Sequence, residues 1–196
     1  VGALLAAAGA APATTIDDIQ DLQTLLGLPR LPRVIEAFDI SNIGSAFSVA
    51  GMVQFRDGAP DKSNYRRYKI AAVSGQNDFA MMMEAVTRRL ARQSSEGKPF
   101  ADCLLIDGGL GQLHAAMEAL RRFSDPPPVI ALAKKEELLY SSHKRQPVRL
   151  PATHPVRKLA ERIRDEVHRW SIAYHRHLRG RHITATLLRS LPGIGP

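Results

Sequence analysis

Cys103-Leu104-Leu105-Ile106-Asp107-Gly108-Gly109-Leu110-Gly111-Gln112 is the stretch that decides the fold. Cys103–Asp107 is a continuous apolar run ending in an acid, the pattern of a strand buried on both faces. The glycines that follow permit a sharp strand-to-helix turn, and Leu110–Phe123 reads as the helix. Val129–Ala133 (VIALA), set off by Pro126-Pro127-Pro128, is a second strand of the same kind. Upstream, Phe79, Met82, Met83, Val86 and Leu90 recur at helical spacing, which predicts a helix over Asp78–Arg92 with those residues on one face. Strands alternating with helices in this way imply parallel strands joined by crossovers.

Further out, the period changes. Val34–Ile40, Ser48–Phe55 and Tyr65–Val73 are strand-like, and Asp57-Gly58 is a hairpin signal between the last two. These predict an antiparallel three-strand meander ahead of the crossover units, so the fold class is α/β, a mixed sheet flanked by helices. Ile16–Leu28 reads as a short amphipathic helix stopped by Pro29 and Pro32, and Leu138–Leu150 as a small hairpin. A long helix is expected from Pro155 to Leu178, with apolar residues at 156, 159, 160, 163, 167, 170 and 174. Pro155 is placed to open it and Gly180 to close it.

With 196 residues, 44% apolar and 23% charged, the chain has the composition of a soluble globular domain with one good-sized core. No apolar run approaches the roughly 20 residues of a membrane-spanning helix. Cys103 is the sole cysteine, which excludes a disulfide scaffold and suits a reducing, cytoplasmic setting. Twenty-seven Lys and Arg against 19 Asp and Glu leave a net charge of +8, which favours polyanionic partners, nucleic acid first. Nine of those cations against three acids fall between Val156 and Arg189, so the basic footprint is C-terminal. The start at Val1 and the closing Leu191-Pro-Gly-Ile-Gly-Pro196 suggest a piece of something longer, with the uncharged residues 1–15 as a linker.

Asp39, in Phe38-Asp39-Ile40-Ser41-Asn42, and Asp107 each end a predicted strand. Either alone could simply cap a turn. If the strands are neighbours, however, the carboxylates converge at one sheet edge, which is costly without a proton or cation between them. Oxygen ligands of this kind favour Mg²⁺ or Mn²⁺. His168 lies on the margin of the long helix's apolar stripe, beside Val167, where an imidazole could ligate metal or handle a proton. Gly108–Gln112 is a poor nucleotide motif, because the third glycine is His114 and no Gly-Lys-Ser/Thr follows. Nothing in the sequence points to zinc either, since Cys103 has no partner cysteine and no H-E-x-x-H spacing exists.

Phe38-Asp39-Ile40-Ser41-Asn42, Tyr65-Arg66-Arg67-Tyr68, Leu105-Ile106-Asp107-Gly108-Gly109 with Gly111-Gln112-Leu113, and Arg162–Arg169 (RIRDEVHR) occur in that order. Together they resemble the C-terminal endonuclease half of the UvrC family, the incision subunits of bacterial nucleotide excision repair. The resemblance implies an RNase H-like fold over residues 16–183 and the start of a helix-hairpin-helix module over 184–196. It implies a metal-dependent cut on the 5′ side of a DNA lesion, with Asp39, Asp107 and His168 as the catalytic set and the holders of Mg²⁺ or Mn²⁺. Damaged double-stranded DNA and a UvrB–DNA pre-incision complex are the partners it implies. Arg66, Arg67, Arg164, Arg169, Arg176 and Arg179 are the candidate DNA contacts, although Arg164 or Arg169 could instead pair with Asp165 or orient the site. Leu110 stands where the family commonly has lysine, which removes one candidate phosphate contact. A non-catalytic nucleic-acid-binding domain of the same fold is the competing reading.

Overall fold

The structure, a computed structural model, describes the backbone of residues 14–43, 47–70, 77–133 and 138–190, and their side chains except 42, 43, 47 and 175–190. Helix α1 (Ile16–Leu26) is held at its start by a capping box between Thr15 and Asp18. The expected linker therefore ends inside the fold, since Thr15 is the cap and Thr14 accepts a hydrogen bond from Arg162. Strands β1 (Val34–Ile43) and β2 (Phe47–Arg56) pair antiparallel along their whole length. Asp57 and Gly58, both at positive φ, turn the chain tightly into β3 (Ala59–Pro60). After a 3₁₀ turn at Lys62–Asn64, β4 (Arg66–Lys69) rejoins the same edge of β2. The predicted meander is thus present, with its third strand split in two; the expected end of that strand, 71–73, lies outside the described residues.

Helix α2 (Asp78–Ser95) then crosses to β5 (Cys103–Asp107), which lies parallel beside β1, and α3 (Leu110–Leu120) crosses to β6 (Val129–Ala133), parallel beside β5. Strands β7 (Leu138–Ser141) and β8 (Val148–Arg149) extend the sheet antiparallel as the predicted hairpin, before α4 (Pro155–Ser190). The sheet order is β3-β2-β1-β5-β6-β7-β8. Helices α1 and α4 pack on one face against Ile35, Ala37, Cys103 and Leu105, whereas α2 and α3 pack on the other against Phe38, Leu104 and Ile106. No described helix is long and apolar enough to cross a membrane.

Two expectations need correction. Helix α4 does not close at Gly180 but continues to Ser190, taking in 184–190, the opening of the expected hairpin module. A single interior glycine costs only about 1 kcal/mol against alanine, which does not by itself stop a helix. Residues 191–196 of that module lie outside the described residues. The core face of α2 is also rotated from the predicted one. It carries Met81, Met82, Ala85, Val86, Arg89, Leu90 and Gln93, while Phe79 and Met83 stay exposed. The cause is an ion pair that hydrophobic periodicity cannot register. Glu36 on β1 is 1% exposed, and Arg89 donates to it from Nη2 at 2.5 Å and from Nε at 3.0 Å.

Removing one partner of such a pair leaves a buried charge uncompensated. Arg89→Met should therefore lower unfolding free energy by about 3–5 kcal/mol in urea titrations. The double variant Glu36→Leu/Arg89→Met should recover most of that loss.

Candidate active site

Side chains alternate across a strand. Ile35 lies beside Cys103 and Ala37 beside Leu105 in the parallel β1–β5 pair, all on the face that α4 covers. One alternation further on, Asp39 and Asp107 reach that same face. The aspartates converge because of this register, as the sequence led one to expect. Asp39 does not end its strand, though: β1 runs on to Ile43, still paired with β2, and Asp39 stands opposite Gly51. What ends near Asp39 is the pairing with β5, whose last partners are Phe38 and Ile106. Both carboxylates are 4% exposed.

Helix α4 carries the third group. His168 Nδ1 lies 3.3 Å from Asp39 Oδ2 and 3.6 Å from Asp107 Oδ2, with its side chain about half open to solvent. One donor atom from each of the three residues falls within 4.8 Å of the other two. Two buried carboxylates with an imidazole at their rim form a donor set that fits a hard divalent cation.

The helix comes this close because of Gly51. Ser171, fully buried three residues after His168, lies against it; a Cβ at Gly51 would sit 2.1 Å from Ser171 Oγ and 3.2 Å from its Cβ. A side chain there would lift α4 off the sheet directly across from Asp39. The rotation of α4 is set from the other side by β4 and the turn before it. Tyr65 Oη donates to Glu166 at 2.9 Å, Arg169 Nη2 donates to the same carboxylate at 2.6 Å, and Trp170 Nε1 donates to the Arg66 carbonyl at 3.0 Å. Hydrogen bonds from Arg169 and Tyr65 hold the Glu166 carboxyl below its ordinary pKa against the effect of burial. Burial first, and Glu166 second, push the Tyr65 phenol up. Sequence reading missed Gly51, Ser171 and Tyr65 as parts of the site. A glycine inside a strand of otherwise packable residues was the available signal for the first.

The candidate DNA contacts divide. Arg67 is exposed on β4, its guanidinium 3.7 Å from the Trp170 ring centre and 4.8 Å from that of Tyr174. Arg66 donates to the carbonyls of Ser63 and Tyr65 at 3.0 and 2.8 Å. Arg164 pairs with Asp165 at 2.9 Å, one of the alternatives raised for it, and Arg169 pairs with Glu166 at 2.6 Å. Arg176 and Arg179 lie on α4, with side chains outside the described ones.

Known proteins share this arrangement's sequence. The UvrC RNAse H endonuclease domain family matches residues 23–172. The UvrABC system protein C of Dehalococcoides mccartyi is 42% identical over 168 residues, 83% of this chain and 28% of that protein. Its counterpart in Acidobacterium capsulatum is 46% identical over 163 residues, 82% of this chain and 25% of that protein. That of Methanospirillum hungatei is 44% identical over 149 residues, 76% and 29% respectively. The chain therefore spans between a quarter and a third of the length of these relatives. The family match takes in both aspartate strands and the His168 turn of α4 on a mixed, helix-flanked sheet, and the chain belongs to the UvrC RNase H endonuclease domain family.

Proposed function

We propose that this domain is a metal-dependent DNA endonuclease that makes the 5′ incision beside a lesion in cytoplasmic nucleotide excision repair. The observation that carries the reading is the convergence of Asp39, Asp107 and His168 within 4.8 Å, with both carboxylates buried. Asp39 and Asp107 would hold Mg²⁺ or Mn²⁺. When bound, such an ion supplies positive charge against the negative charge that develops on a phosphodiester under attack. Burial keeps water from competing for the carboxylates and strengthens their hold on a cation. His168 presents Nδ1 to them and would complete the donor set there, while its open flank leaves the imidazole within reach of a DNA strand laid over the sheet edge. Gly51 and Ser171 keep α4 at the distance this requires.

Damaged duplex is the proposed substrate, delivered in a UvrB–DNA complex that other parts of a longer protein would engage. Among the described arginines, Arg67 is the best placed to meet phosphate, since aromatic faces rather than a carboxylate hold it. Arg176 and Arg179 would continue the basic track along α4.

Three outcomes test the reading. Asp39→Asn and Asp107→Asn keep the side-chain shape but remove a charge, and each should lower Mn²⁺-dependent nicking of a lesion-bearing duplex by about 100- to 1,000-fold. Full activity in either variant would remove the acids from the site, and an intact protein that binds the duplex but never nicks it would favour the non-catalytic alternative. His168→Ala should cut poorly and also bind Mn²⁺ more weakly by calorimetric titration. Weak cutting with undiminished Mn²⁺ affinity would instead make His168 a proton carrier. Finally, Arg67→Ala and Arg176→Ala/Arg179→Ala should each flatten the dependence of log K on log salt, by about one unit for every phosphate no longer neutralised. An unchanged slope would place the DNA on another surface.

A further inference from the structure

Three consecutive residues, Tyr65, Arg66 and Arg67, each hold a different part of the Trp170 side chain. The Tyr65 ring meets the indole with ring centres 5.3 Å apart and planes at 72°. The Arg66 carbonyl accepts from Trp170 Nε1 at 3.0 Å. The Arg67 guanidinium lies over the indole, 3.7 Å from the ring centre, and 4.8 Å from that of Tyr174 one turn further along α4. Trp170 stands two residues after His168, so at about 100° per residue the two side chains leave the helix in nearly opposite directions. A grip on Trp170 is therefore a grip on the roll of α4. A roll of about 10°, at a side-chain radius of about 5–6 Å, moves the far side of a helix by about 1 Å. A displacement of that size at reacting groups can cost about 100-fold in rate. His168 Nδ1 is 3.3 Å from Asp39 Oδ2, so such a roll would matter there.

Arg67 is built for two contacts at once. A guanidinium is flat: its faces stack, while its five N–H donors point outwards in its plane. The Arg67 face is spent on the aromatic rings, and the residue as a whole stays exposed. Burial against those rings lowers its pKa from the ordinary arginine value, with the Tyr174 phenol, and no carboxylate, acting against the shift. A charged edge held in a fixed plane is what a phosphate takes with two parallel hydrogen bonds. A lysine in the same place would keep the charge and lose the plane.

We propose that Arg67 is a positioning residue for the cut as well as a phosphate contact: its edge takes a phosphate of the nicked strand, and its face, through Trp170, fixes the roll of α4 that sets His168 against Asp39 and Asp107. The inference rests on the endonuclease reading for the strand and the reaction; the stack itself is independent of both. Tyr65 and Arg66 fix where the indole lies, and Arg67 stops its plane from tilting. One side chain thus ties the DNA backbone to the helix turn that bears the imidazole.

The test compares Arg67→Lys, Trp170→Leu and the double variant with the parent chain, in single-turnover nicking of a lesion-bearing duplex at saturating protein and Mn²⁺. Arg67→Lys should bind the duplex with the parent's salt slope, because the charge is kept. Once bound, it should nick about tenfold more slowly. Trp170→Leu should be slowed at least as much, and the double variant should be no slower than Trp170→Leu, since Arg67 acts through the ring. Trp170 is the chain's only tryptophan, so its fluorescence reads the stack without any cut. Acrylamide should quench it more strongly in Arg67→Lys than in the parent, with both folded by thermal melting. If Trp170→Leu melts early, the bound rate and the quenching of Arg67→Lys decide. A bound rate equal to the parent's, unchanged quenching, or losses that multiply in the double variant would each overturn the positioning role and leave the endonuclease reading standing. A parent that binds the duplex and never nicks would sink the endonuclease reading instead, and quenching would still decide the stack.

Discussion

Two carboxylates buried side by side repel each other, and water is too scarce around them to screen the repulsion. Asp39 and Asp107 are placed in that position by the parallel register of β1 and β5, and the surrounding fold is arranged about the consequence. A helix has to bring a nitrogen to their rim. The sheet has to be flat and bare enough beside Asp39 for that helix to approach. The cost of holding the acids together falls when a proton or a cation lies between them.

The approach of α4 is governed from both of its sides. Gly51 removes the side chain that would stand between the helix and Asp39, and Ser171 occupies the space. Tyr65, Glu166, Arg169 and Trp170 then set the turn of the helix against β4. Several charged residues near the site are therefore engaged in building it. Arg67 is held differently, stacked on the rings of Trp170 and Tyr174.

The opposite face of the sheet follows another logic. There the interior contains an ion pair, Glu36 with Arg89, and the helix above it is rolled to accommodate the arginine. Phe79 and Met83 are turned outward as a result. The outward turn of Phe79 is thus tied to a structural ion pair on the same helix.

Much of this was legible in the linear sequence. The buried strands at 103–107 and 129–133, the hairpin turn at Asp57-Gly58 and the amphipathic start of α4 all announce themselves, because local steric preference and hydrophobic period are properties of neighbouring residues. The order of short motifs around Asp39, Asp107 and His168 likewise carries the family. Tertiary structure alone decided the rest. Whether Asp39 and Asp107 converge depends on β1 pairing with β5 in one register, a pairing across more than sixty residues that no local pattern encodes. The roll of α2 depends on a buried charge partner far away in the chain. The place of His168 depends on Gly51, a residue whose contribution is the absence of a side chain at a point that only packing defines.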